Sequence, residues 1–250
     1  MVERLLLAAA ADASATWHSP SSSDVRVAVV LVAATLLYLA YNLLIAPRVV
    51  ARLFPRRATN ESDLRTTGSF FRKGAGAILF GVIPAAAMAL AWPGGLAACG
   101  LTFAEAPRSL LYALGFIALM LPLLVFQARK PSFRLHYPEV RRPLTGRTAL
   151  WNTLGWAAYL SGYELFFRGI LVLALAPLVG PLPALTLALM AYVFVHLGRY
   201  AGETVGTLFT GTLFGVVALD TGSILMPFLA HFGVALLADF LAARPVSADA

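Results

Sequence analysis

The sequence predicts an all-α protein, a polytopic transmembrane helical bundle of about seven spans, and three observations carry that expectation. Of 250 residues, 60% are hydrophobic and 12% charged, with a mean hydropathy of +0.80, outside the balance of a water-soluble domain. Apolar stretches recur that approach or exceed the ~20 residues a helix needs to cross a hydrocarbon core about 30 Å thick. The basic residues are gathered rather than spread, 13 of the 19 lying in two segments. The single cysteine, Cys99, excludes an intramolecular disulfide and a Cys-cluster metal site.

Taken in order, residues 1–24 form a leader. Its "MVERLLLAAAADASA" has the apolar run and Ala-x-Ala-like ending of a signal peptide. Glu3 beside Arg4 removes the net positive start, however, and a full span follows from Val25, so a disordered or interfacial segment is expected. Residues 25–148 read as three spans, near 25–46, 74–93 and 109–127. They are separated by two basic loops: 47–73 carries Arg48, Arg52, Arg56, Arg57, Arg65, Arg72 and Lys73, and 128–148 carries Arg129, Lys130, Arg134, Arg141, Arg142 and Arg147. Residues 149–242 read as four more spans, near 149–178, 182–198, 203–220 and 222–242.

The positive-inside rule makes both basic loops cytoplasmic, with the uncharged-to-acidic stretch Trp92–Pro107 on the other side. A multi-pass protein of the cell membrane is expected, N-terminus outside and C-terminus cytoplasmic, with Arg199 and Arg244 inside. The net charge of +7 is then explained by topology and by anionic headgroups of the bilayer, and no nucleic-acid partner is needed.

Ionisable residues within the apolar runs gather after residue 149. In "SGYELFFRGI", Glu164 and Arg168 are spaced i,i+4, the order that favours an ion pair on one helix face. Gly155, Gly162 and Gly169 recur every seven residues, a smooth stripe on the opposite side for close helix packing. His196 ends "AYVFVH"; His231 lies midway along "PFLAHFGVALLADF", with Asp239 eight residues on. Glu203 opens the sixth span, where it suits the helix dipole as a cap. A lone intramembrane histidine is commonly a bridge between helices, but two with a Glu–Arg pair in one half-chain indicate a site. Neutral histidine and carboxylate are the parts needed either to activate a water by general base catalysis or to bind zinc, and spacing does not choose between these.

"YELFFRG", "YVFVH" and "GSILMPFLAH", in that order over the last ~100 residues, resemble the CPBP family of intramembrane proteases, which includes CAAX prenyl endopeptidases and bacteriocin self-immunity proteins. The family pattern is EExxxR, FxxxH and HxxxN or HxxxD on separate helices. The resemblance implies that the first Glu and first His activate water, that the second His and the Asn hold the oxyanion, and that the second Glu pairs with the Arg. By position Glu164 matches the second Glu, Arg168 the Arg, His196 the first His with Tyr192 where Phe is usual, and His231 the second His.

Two positions depart: Tyr163 occupies the first Glu and Ala235 the Asn. A phenol with its ordinary pKa near 10 is a poor base at pH 7. Either Glu164 itself or a displaced acid, Glu203 or Asp239, then serves as base, or the chain is a non-catalytic relative. The implied function is an intramembrane endopeptidase, metallo- or glutamate-type, acting on a peptide or lipidated protein, with Glu164, Arg168, His196, Glu203, His231 and Asp239 as candidate catalytic residues and His196 and His231 as candidate zinc ligands. The alternative is an inactive membrane protein of the same type that binds a peptide or lipidated partner in an immunity or chaperone role.

Overall fold

The computed structural model describes residues 19–197 and 201–244. The expected leader up to residue 18, and Arg199, lie outside the described residues. Within them the chain is helical with no strand: α1 Ser22–Leu44, α2 Pro47–Leu53, α3 Glu61–Ala91, α4 Ala106–Gln127, α5 Pro131–Arg134, α6 Gly146–Val179, α7 Pro181–Phe194, α8 Ala201–Thr221 and α9 Leu225–Ala243.

Six of these, α1, α3, α4, α6, α8 and α9, are long and apolar enough to cross a membrane. The seventh expected span is α7, whose 14 residues reach about 21 Å at 1.5 Å per residue, short of a full hydrocarbon core.

The helices differ in how much they bury. In the most apolar window of α1 only 6% of residues are buried, so α1 faces lipid; in α6 the share is 72%, so α6 is the centre of the bundle. Around it Phe80, Trp156, Tyr159, Tyr163, Phe166, Phe167, Leu171 and Tyr192 form one apolar core. The glycine stripe on α6 sets its distance from α3. A Cβ on Gly162 would lie 2.8 Å from the backbone nitrogen of Gly81, so the two chains touch backbone to backbone there. Above and below, Gly155 meets the aliphatic stem of Lys73 and Gly169 the carbonyl of Cys99. Gly211 and Gly215 of α8 receive Leu189 and Leu185 of α7 in the same way, whereas Gly206 faces open space.

The first basic loop is a correction to the expectation: much of 47–73 is helix, comprising α2 and the first turns of α3. Asn60 caps α3 by accepting from the Asp63 N–H at 2.9 Å, and Glu61 and Asp63 complement its positive end, so a polar sequence continues into the apolar span without a break. The two basic segments meet at one end of the bundle. Arg142 pairs with Asp63 at 2.8 Å, the Arg141 N–H donates to Thr66 at 3.0 Å, and Arg65 donates to the Leu135 carbonyl. Arg134 donates to the carbonyls of Ala242 and Arg244, closing the C-terminus of α9. At the opposite end Arg108 pairs with Asp220 at 2.6 Å and the Ile224 N–H donates to the Gly100 carbonyl at 3.1 Å.

The Gly81–Gly162 crossing gives a direct test. Gly162→Ala is expected to destabilise by roughly 1–3 kcal/mol because backbone must move, whereas Gly68→Ala, which meets nothing within 4 Å, should be neutral or gain up to about 1 kcal/mol of helix propensity. Thermal unfolding of the two variants in detergent measures the difference.

Candidate active site

At Leu165 helix α6 leaves the α register, and Leu165–Ala174 forms π turns, a feature that recurs at functional sites. Glu164 is the last residue before the change, and Arg168 lies one turn into it. Both are buried, at 0% and 2% exposure, which is affordable only as a pair, and Arg168 Nη1 lies 3.1 Å from Glu164 Oε2. The guanidinium is also covered by rings from two neighbours, 4.0 Å from the centre of Tyr192 on α7 and 5.3 Å from Phe214 on α8.

The other oxygen of Glu164 meets α9. His231 Nδ1 lies 2.6 Å from Glu164 Oε1. The ionised carboxylate only accepts, so Nδ1 carries the proton and Nε2 is the ring's remaining polar atom. His196 is held in a similar manner: Nδ1 lies 2.7 Å from the Tyr192 carbonyl, which also only accepts. Its Nε2 lies on the side of Glu203, 3.9 Å from Oε1, and the Thr204 hydroxyl donates to the His196 carbonyl at 2.7 Å. The second oxygen of Glu203 accepts from the Tyr137 hydroxyl at 2.9 Å.

These groups share a cavity of about 450 Å³ whose wall includes Tyr137, Tyr163, His196, Glu203, His231 and Ala235. Glu164 and Arg168 stand behind this wall rather than in it. Tyr163 is 5% exposed, its ring edge-to-face with His231 at 5.6 Å and with His196 at 6.4 Å. The cavity reaches the basic end of the bundle, where Gln127, Phe133 and Arg72 line it.

Asp239 is not brought to this site. Its Oδ2 accepts from Asn152 at 2.9 Å and Trp156 Nε1 at 2.7 Å, and its Oδ1 accepts from the Glu139 N–H at 2.9 Å. With both oxygens engaged and no surface exposed, it ties α9 to α6 and to the second basic segment. That knot was not legible beforehand. Lys73, expected in a cytoplasmic loop, is 1% exposed, donates to Asn152 at 2.7 Å and sits 4.1 Å over the Trp156 ring. Glu139 pairs with Arg72 and lies 3.6 Å from Lys73. The one signal was the i,i+4 spacing of Asn152 and Trp156 in an apolar helix. Tyr137, on the segment after α5, carried none.

The donor set does not fit zinc. A zinc site takes three or four protein ligands, and among the described residues no three His, Cys, Asp or Glu side chains come together to hold a metal. No step is therefore derived through one. Cys99 offers no nucleophile either, since burial pushes its thiol up to about 11.

Residues 148–237 match the family model described as Type II CAAX prenyl endopeptidase Rce1-like. This stretch of the chain is Rce1-like. None of the curated proteins and none of the solved structures matches the chain. The Rce1-like stretch holds Glu164, Arg168, His196, Glu203 and His231, with Tyr163 and Ala235, whereas Tyr137, Asp239 and the Lys73–Glu139 contacts fall outside it. The match supports the CPBP class of intramembrane protease at the level of family.

A buried pair of this kind predicts an asymmetry. Glu164→Gln leaves Arg168 buried without a counter-charge and is expected to lower stability by about 3–5 kcal/mol, while the apolar double variant Glu164→Leu with Arg168→Met should recover much of that loss. Denaturant titration in mixed micelles distinguishes the two.

Proposed function

We propose that the chain is an intramembrane endopeptidase in which Glu203 is the general base. What supports this is that His196 Nε2 and Glu203 Oε1, 3.9 Å apart, line the same cavity as His231. A water held by both has a proton acceptor beside it, and a peptide carbonyl in the cavity lies within reach of its oxygen. Attack forms the carbon–oxygen bond as Glu203 takes the water's proton. An imidazolium at His231, aligned by Glu164, donates from Nε2 to the oxyanion. Collapse breaks the carbon–nitrogen bond, and Glu203 returns the proton to the leaving amine.

In this reading residues 149–242 are the catalytic core, and residues 25–148 form a scaffold that lends Tyr137 to the acid. Glu164 and Arg168 are positioning residues, Asp239 is structural, and His196 and His231 act without a metal. The two basic segments face the cytoplasm, the N-terminus lies outside and the C-terminus inside, so a peptide or lipidated protein enters from the cytoplasmic side of the cell membrane.

A second reading has its own observation. Ala235 presents only a methyl to the cavity, and Tyr163 stands where the resemblance calls for a base. A protein that holds such a segment without cutting it fits those two residues.

The acids separate the possibilities. Glu203→Gln and His196→Ala are each expected to lower kcat by about 10²–10⁴ with unfolding unchanged, whereas Asp239→Ala should lower the unfolding midpoint. The measurement is mass-spectrometric cleavage of peptides in nanodiscs, beside thermal scans. Wild-type protein that co-purifies with a peptide and never cuts it supports the second reading and ends the first.

A further inference from the structure

Acyl hydrolysis in a site shielded from bulk water needs preorganised hydrogen-bond donors where the oxyanion forms. In the proposed reaction His231 Nε2 supplies one, as the imidazolium. Ala235, one helical turn further along α9, lines the cavity and supplies none. Three other hydroxyls of the cavity wall are committed: Thr207 donates to the Thr204 carbonyl at 2.6 Å, Thr210 to the Gly206 carbonyl at 3.1 Å, and Tyr137 to Glu203.

We propose that the hydroxyl of Tyr163 is the second oxyanion donor. Its ring is in edge contact with both histidines, on the same cavity wall, so its hydroxyl and His231 Nε2 serve one carbonyl while His196 and Glu203 hold the water. The ring cannot swing away: Phe80, Tyr159 and Phe167 pack on it at centroid distances of 6.3, 5.5 and 4.5 Å. Among the described residues no group accepts from its hydroxyl, and the residue lines the cavity. A phenol that carries a proton and has no protein acceptor in the cavity is a donor available to one that arrives with substrate. A phenol of ordinary acidity keeps that proton at pH 7. The residue that makes a poor base is thus a good donor, and the acid on α8 takes the base role.

This assignment rests on the hydrolase reading, and the experiment separates the two. The full chain in nanodiscs is assayed with a panel of fluorogenic peptides built on single membrane-spanning segments and their flanks. Tyr163→Phe removes one oxygen from the wall and leaves the ring. It is expected to lower kcat by about 10²–10³ with KM and the unfolding midpoint unchanged. Adding Ala235→Asn, a donor one turn from His231, is expected to restore at least about tenfold of that loss. Wild type that cleaves, with Tyr163→Phe cleaving equally fast or losing only in KM or stability, overturns the assignment and leaves the hydrolase reading standing. Wild type that cleaves no peptide of the panel overturns both.

Discussion

The structure depends on one carboxylate. Glu164 has no solvent exposure and meets Arg168 through one oxygen and His231 through the other. In a low-dielectric interior neither charge is stable alone, and the pair fixes more than itself. Arg168 draws Tyr192 of α7 and Phe214 of α8 onto its faces, and His231 draws α9. Three neighbours are therefore registered to α6 by a single group. This is why the most apolar helices, α1 and α4, can lie at the periphery while the helix carrying the charges lies at the centre.

The π turns after Glu164 and the glycines on the other side of α6 belong to the same constraint. A helix gripped on one face by charge must fit closely on the other, and at Gly162 nothing larger than hydrogen separates it from α3. The second polar knot, Lys73, Glu139, Asn152, Trp156 and Asp239, repeats the principle nearer the basic end. It pairs buried polar groups by drawing donors and acceptors from α3, α6, α9 and the segment after α5. That segment is then held where Tyr137 reaches Glu203.

Local pattern made part of this legible. Hydropathy shows helix class and spans, i,i+4 spacing shows the Glu164–Arg168 pair, and the seven-residue repeat of Gly155, Gly162 and Gly169 shows the close-packed face. What stayed hidden depends on partners distant in sequence. Lys73 reads as a loop charge because its neighbours Arg72 and Arg65 are basic; its burial follows from Asn152, 79 residues away. Asp239 reads as a candidate acid for the site, because eight residues from His231 says nothing of Asn152 and Trp156, which claim its oxygens. The contact of Tyr137 with Glu203 spans 66 residues and has no periodic signature. The length of α3 was hidden for another reason: its polar first turns fail a hydropathy criterion that a capped helix does not need to meet.

In the proposed reaction the acid stands on α8, whereas the family pattern puts it at position 163, beside Glu164. Glu203 lies in the first turn of α8, where the helix dipole favours a negative charge, and its side chain is 24% exposed. In the proposed reaction that division lets the deep wall hold only donors, the Tyr163 hydroxyl and the His231 ring, aimed at developing negative charge.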